Sequence, residues 1–190
     1  MTGRTHDAIA FASLITIATL NQPTTLNLAT LTSCVVANIV GGTLPDIDQA
    51  SNRLWNMLPF GDHISKVLSK IFMGHRTFTH SIIGFLFFYY SLQFLIPKLL
   101  NPAYINGELV FISFLIGYVS HLIGDAVTKE GLPLLFPLKI KFGFPPLRFL
   151  RITAGNWIEN LIILPGTAAY IFWFIGKYQH QVTQLLAKVI

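Results

Sequence analysis

Long, predominantly apolar stretches set the pattern of this chain, in place of the strict alternation of a half-buried strand or the one-sided stripe of a surface helix. Leu28 to Leu44, Ile82 to Leu100, Leu109 to Val127 and Ile158 to Gly176 are each long enough, at about 1.5 Å per residue, to cross or nearly cross a hydrocarbon core of roughly 30 Å. A fifth run, Ala8 to Leu20, is shorter. Arg4 precedes it as in a signal peptide, but no small-x-small cleavage site follows, and Asn21-Gln22-Pro23 reads as a turn between spans. The pattern predicts an all-α, polytopic transmembrane helix bundle of about five spans, one integral membrane domain over residues 1–190. Its two sizeable inner loops are 45–79 and 128–156, and short outer turns surround Pro23 and Asn101 to Gly107. In the first inner loop, His63 to Phe72 is amphipathic at helical spacing and suits the interface plane. The second is rich in Gly and Pro yet keeps Leu134, Leu135, Phe136, Phe142 and Phe144, as a lid or re-entrant loop packed on the bundle would.

Composition agrees: 53% of residues are apolar, 11% are charged and mean hydropathy is +0.59. The net charge of +5 raises the question of nucleic acid, and the positions of the basic residues answer it. With a cytoplasmic N-terminus and alternating spans, the inner side receives Arg4, Arg53, Lys66, Lys70, Arg76, Lys129, Lys139, Lys141, Arg148 and Arg151, and the outer side only Lys98, Lys177 and Lys188. This ten-to-three split follows the positive-inside rule, so topology and anionic headgroups account for the basic balance. A bacterial plasma (inner) membrane protein is expected, with no nucleic acid partner. Cys34, inside a span, offers neither a disulfide framework nor, alone, a thiolate site. Oligomeric state is not encoded legibly.

The ionisable residues fall on one edge of this topology. His6 and Asp7 open the first span, Asp46 and Asp48 close the second, His75 and His80 open the third, and His121 and Asp125 close the fourth. Ionisable groups at the hydrocarbon are costly and usually mark a functional site. His121 and Asp125, at i and i+4, project from one helix face as two ligands of a metal must. Asp46 and Asp48, in an extended Pro45-Asp46-Ile47-Asp48 pattern, supply carboxylates at i and i+2. His75 and His80 bracket a predicted N-cap at Thr77 or Thr79, so Arg76 and a helix N-terminus add positive potential suited to phosphate. The metal-ligand set is therefore His6, Asp46, Asp48, His75, His80, His121 and Asp125. Mixed imidazole and carboxylate ligands favour a divalent transition metal, Zn or Mn, and the size of the set predicts two ions able to acidify a bridging water and neutralise a scissile group. Asp7, Thr79, Thr128 and Glu159 are expected in supporting positions, Arg76 and Lys129 as phosphate clamps, and Asp48 also as a base. His63 and His180 lack such company.

Together, His6, Leu44-Pro45-Asp46-Ile47-Asp48, His75-Arg76-Thr77-Phe78-Thr79-His80-Ser81 and Ser120-His121-Leu122-Ile123-Gly124-Asp125-Ala126-Val127-Thr128 resemble the bacterial YdjM family of LexA-regulated, membrane-bound, predicted metal-dependent hydrolases. The resemblance covers residues 3 to about 138 and implies metal-dependent hydrolysis, with the same seven His and Asp residues as metal-site candidates. The His121-to-Asp125 element is remotely similar to that of the zinc-dependent phospholipase C and single-strand nuclease superfamily, which implies a phosphoester substrate by analogy. That superfamily's N-terminal Trp ligand and third-metal complement are missing, so a trinuclear site is not expected. A site held at helix ends in the headgroup zone favours a lipid or lipid-linked phosphoester arriving from the leaflet. The rival is a metal-ion or proton-coupled transporter using the same cluster, for which a midplane site and related halves would be expected.

Overall fold

The computed structural model describes residues 1–49, 55, 61, 63, 65, 66, 76–138 and 140–189, and of Asp48 only the backbone. His75 and nearly all of the 63–72 stretch therefore lie outside the described residues. Helix α1 (Gly3–Asn21) starts at Thr2 and ends at Gln22, whose left-handed backbone (φ 46°) returns its N–H to the Ala18 carbonyl. Asn27 caps α2 (Leu28–Thr43) by accepting from the Thr30 amide at 2.8 Å, and α2 runs on into a 3₁₀ turn, Leu44–Asp48. Pro45 fits there because the first turn needs no N–H from it. Ser81 caps α3 (Ile82–Leu99), and Asn106 caps α4 (Gly107–Ala126). A π turn, Glu159–Ile163, leads into α5 (Leu164–Lys177), followed by a short α6 (Gln179–Ala187). No strand occurs among the described residues.

Four helical segments are long and apolar enough to cross a membrane: Leu28–Ile47, Ile82–Leu99, Gly107–Ala126 and Glu159–Lys177. They coincide with the four long runs of the sequence. Helix α1, roughly 28 Å long at 1.5 Å per residue, is not among these four, yet it lies alongside the chain from the π turn through α5 to the end of α6. The Thr2 amide donates to Glu159 at 2.6 Å, the Thr16 and Tyr170 hydroxyls meet at 2.9 Å, and Lys188 Nζ reaches the Gln22 carbonyl at 3.2 Å. Helix α1 thus traverses the same thickness as α5.

The closest packing lies between α2 and α4. A Cβ built on Gly117 would stand 2.2 Å from the Asn38 carbonyl oxygen, and one on Gly41 would stand 2.2 Å from the Phe114 carbonyl oxygen. Small residues at such a seam let two backbones approach, the main source of helix affinity where lipid replaces the hydrophobic effect. Asn38, buried in the seam, donates to the Ser113 carbonyl at 3.2 Å.

Loop 128–156 folds back on the bundle. Thr128 bridges to Ile152 and Leu132 to Phe142, the Phe144 amide donates to the Ala126 carbonyl at 2.9 Å, and Arg151 donates to the carbonyls of Gly143, Pro145 and Pro146. Phe144, Leu147, Phe149 and Trp157 remain exposed.

Three local expectations change. Helix α1 begins at Gly3, four residues before Asp7, with Thr2 at its N-cap, so His6 and Asp7 lie inside the helix instead of opening it. The cap of α3 is Ser81 rather than Thr77 or Thr79, because the Thr79 hydroxyl is engaged with His80 Nδ1 at 3.1 Å. Asp46 and Asp48 lie on a 3₁₀ turn that prolongs α2 instead of on extended chain.

Candidate metal centre

Three elements converge at one end of the bundle. The 3₁₀ turn after α2 carries Asp46, the residue before the α3 cap is His80, and the last turns of α4 carry His121 and Asp125. One ligand atom from each lies within 4.8 Å of all the others. Asp46 Oδ1 is 3.5 Å from His80 Nε2 and 3.6 Å from His121 Nε2, and Asp125 Oδ2 is 3.3 Å from His80 Nε2 and 3.6 Å from His121 Nε2. A tetrahedron with metal–ligand bonds of about 2.0–2.1 Å has edges of roughly 3.3–3.4 Å, so the spacing fits one transition-metal ion.

The chemistry of these atoms points the same way. Asp46 Oδ1, His121 Nε2 and Asp125 Oδ2 are buried and make no hydrogen bond among the described residues. Buried polar atoms in that state are costly, which a shared cation would relieve. Two carboxylates and two neutral imidazoles also carry the two negative charges that balance one divalent ion.

Each ligand is held from behind. His121 Nδ1 lies 2.7 Å from the Gly42 carbonyl; with the proton on Nδ1, Nε2 keeps its lone pair for a metal. That contact depends on the α2–α4 seam, which brings Gly42 alongside. Thr79 Oγ1 supports His80. On Asp125, Oδ1 takes His6 Nε2 at 3.2 Å, the Met1 amino group at 2.5 Å and Arg76 Nη2 at 2.8 Å; Nη2 is equally far from Oδ2 but its N–H is aligned on Oδ1. His6 stacks on His121, with ring centroids 3.8 Å apart and planes within 10°, and it fits because Gly124 has no side chain: a Cβ there would stand 3.1 Å from the His6 ring.

The expected site residues sort clearly on this frame. Asp46, His80, His121 and Asp125 form the nest, and His6 joins it through Asp125. The side chain of Asp48 and all of His75 lie outside the described residues. Arg76, almost fully buried, turns inward to Asp125 and to Glu130 at 2.7 Å, and it holds a left-handed backbone (φ 57°) that a non-glycine residue adopts only under constraint. Lys129 is exposed on the loop after α4. Thr128 donates to the Asp125 carbonyl at 2.8 Å and accepts from Arg76 at 3.4 Å. Glu159, fully buried, accepts from Thr2 and from the Gly155 amide, so it fixes the start of α1 and with it the turn bearing His6. Neither His63 nor His180 belongs to the nest; both are exposed.

A cavity of about 520 Å³ opens onto the nest, walled by Arg4, His6, Asp46, Gln49, His121 and Asn160 among others, with Asp7 at its side. Sequence reasoning missed Arg4, Gln49 and Asn160 as lining residues and the Gly42 carbonyl as a support. A backbone oxygen leaves no trace in residue types; the polar trio Asn156, Glu159 and Asn160 opening an apolar run was the available signal.

The comparisons with known proteins fit this picture. The family described as YdjM inner membrane protein matches residues 1–183. The protein YvsG of Bacillus subtilis is 33% identical over 135 residues, 71% of this chain and 74% of its own length. Inner membrane protein YdjM of Escherichia coli is 31% identical over 121 residues, 64% of this chain; the match spans only 56% of that relative's length. No solved structure matches.

Proposed function

From the premise that this chain belongs to the YdjM family of inner membrane proteins, we propose that it is a membrane-embedded, metal-dependent hydrolase acting on a phosphoester of a lipid or lipid-linked substrate at the cytoplasmic interface. The observation that carries the reading is the nest of Asp46, His80, His121 and Asp125 at the floor of a cavity that also contains Arg4, with Asp46 Oδ1, His121 Nε2 and Asp125 Oδ2 making no hydrogen bond among the described residues. A catalytic ion keeps a position for water; four protein ligands fill a tetrahedron, so here water or substrate would enter as a fifth ligand from the cavity side.

A bound Zn or Mn ion supplies a Lewis acid that polarises a phosphoryl oxygen and acidifies water beside it. The chain's own residues supply the rest. Arg4 is the cation in the cavity wall able to meet a phosphate oxygen with a charge-assisted bond. Arg76, engaged with Asp125 and Glu130, orients a ligand from behind. Water attack at phosphorus breaks the phosphorus–oxygen bond, and the leaving alcohol takes a proton. Asp48 stays the proposed base, taking the proton of the attacking water and returning it to the leaving alcohol, and Lys129 a second clamp. The described residues gather ligands for one ion. A second would need donors beyond these, with His6, Asp48 and His75 as the candidates.

The test is release of phosphate or headgroup from lipid phosphoesters by purified protein in liposomes. Activity lost on chelation, restored by Zn or Mn and lost in Asp46→Ala is the expected result. Passage of metal ions into sealed liposomes without hydrolysis would replace this reading with the transporter.

A further inference from the structure

A second cavity begins where the metal cavity ends. It is a groove of about 620 Å³ between α1 and α5, lined by Ile9, Ser13 and Thr16 on one wall and Ile163, Gly166 and Tyr170 on the other. The metal cavity is walled by His6, three residues before Ile9, so the α1 wall continues by one helical turn, while Asn160 stands in the π turn from which the α5 wall begins. The stripes 6, 9, 13, 16 on α1 and 163, 167, 170 leading into α5 advance by three and four residues, as one face of an α-helix must. The lining is mostly apolar, and Ile162, on a segment long and apolar enough to cross a membrane, and Ile17 beside it on α1 are exposed at its rim, so the groove opens sideways to lipid. The Thr16–Tyr170 hydroxyl contact at 2.9 Å closes its far end. The bundle tolerates the opening because Gly166 has nothing within 4 Å of where a Cβ would stand.

The geometry points to a chain-binding groove: α1 and α5 hold a single hydrocarbon chain of a phosphoester whose phosphate lies in the metal cavity near Arg4. The inference rests on the proposed hydrolase reading and sharpens its substrate to a lipid phosphate with one chain in this groove. From residue 6 to residue 16 the groove runs roughly 15 Å, at 1.5 Å per helical residue. A chain advancing about 1.3 Å per carbon, from carbon–carbon bonds near 1.5 Å, fills it with about twelve carbons.

The probe is dodecyl phosphate carrying a diazirine near the end of its chain, photolysed with the full-length, metal-loaded protein in detergent, with butyl and dodecyl phosphates as turnover substrates. Labels are expected around Thr16 and Tyr170. Gly166→Phe fills the groove without a backbone clash and should cut labelling about tenfold with bound metal unchanged; Ser13→Phe does the same from the facing wall and stands in should the first variant misfold. A dodecyl trimethylammonium probe should label these positions at least tenfold less. Labelling elsewhere, equal labelling by the cationic probe, or labelling untouched by both folded variants overturns the groove. Hydrolysis of butyl and dodecyl phosphates at equal rates, insensitive to Gly166→Phe, overturns it while the hydrolase reading stands. Groove labelling without turnover of either phosphate supports the groove and sinks the hydrolase.

Discussion

At the scale of single residues, the arrangement around Asp125 decides most of the chemistry. One of its oxygens faces the nest and the other gathers Met1, His6 and Arg76, so the carboxylate is oriented before any cation arrives. His121→Ala is therefore expected to abolish high-affinity Zn or Mn binding by purified protein in a metal-competition titration, whereas His180→Ala leaves it unchanged. Arg76→Ala removes no ligand but frees the Asp125 carboxylate, and supporting residues of this kind typically change metal affinity about 10- to 100-fold. A titration in which Arg76→Ala binds metal as tightly as the parent would return Arg76 to a direct role on substrate. The ligand types and their common edge were legible from His and Asp at the ends of apolar runs. The inward turn of Arg76 was not, because its left-handed backbone and its pair with Glu130 depend on where loop 128–156 comes to rest.

At the scale of elements, the α2–α4 seam is the frame that registers the site. Gly117 lies one turn before His121 and packs on Asn38 and Gly42, so the spacing of the two backbones sets the contact between Gly42 and His121. Gly117→Leu pushes the helices apart; overpacking of this kind costs about 1–3 kcal/mol, and here it also withdraws the Gly42 carbonyl. Both a lowered melting temperature and weaker metal binding are expected, measured on the same detergent-solubilised sample; loss of stability with metal affinity intact would separate the seam from the site. Helix extents could be read from the apolar runs because lipid imposes length. The seam could not: Gly41, Gly42 and Gly117 are small enough to lie against a neighbour, but nothing in their spacing names which helix that neighbour is.

At the scale of the whole molecule, the contacts of Thr2 with Glu159 and of Lys188 with Gln22 put the beginning of α1 and the end of the chain at opposite faces of the bundle. With the basic residues favouring a cytoplasmic N-terminus, a reporter fused after Ile190 is expected to signal from the outer side. A cytoplasmic signal would mean that α1 does not cross. Among the described residues α3 packs chiefly on α4, its other sides turned largely to lipid, and His80 stands immediately before its cap. A cation held by the nest would therefore tie the foot of α3 to α2 and α4 in the folded bundle, and metal at 100-fold above its dissociation constant would add about 2.7 kcal/mol of stability. Chelation should accelerate amide exchange first along Ile82–Leu99 while α2 and α4 stay protected; uniform acceleration would contradict this. If the nest holds its metal in the cell, a cell short of transition metal would leave α3 as a latch undone, the helix by which a quality-control protease would tell an empty copy from a loaded one.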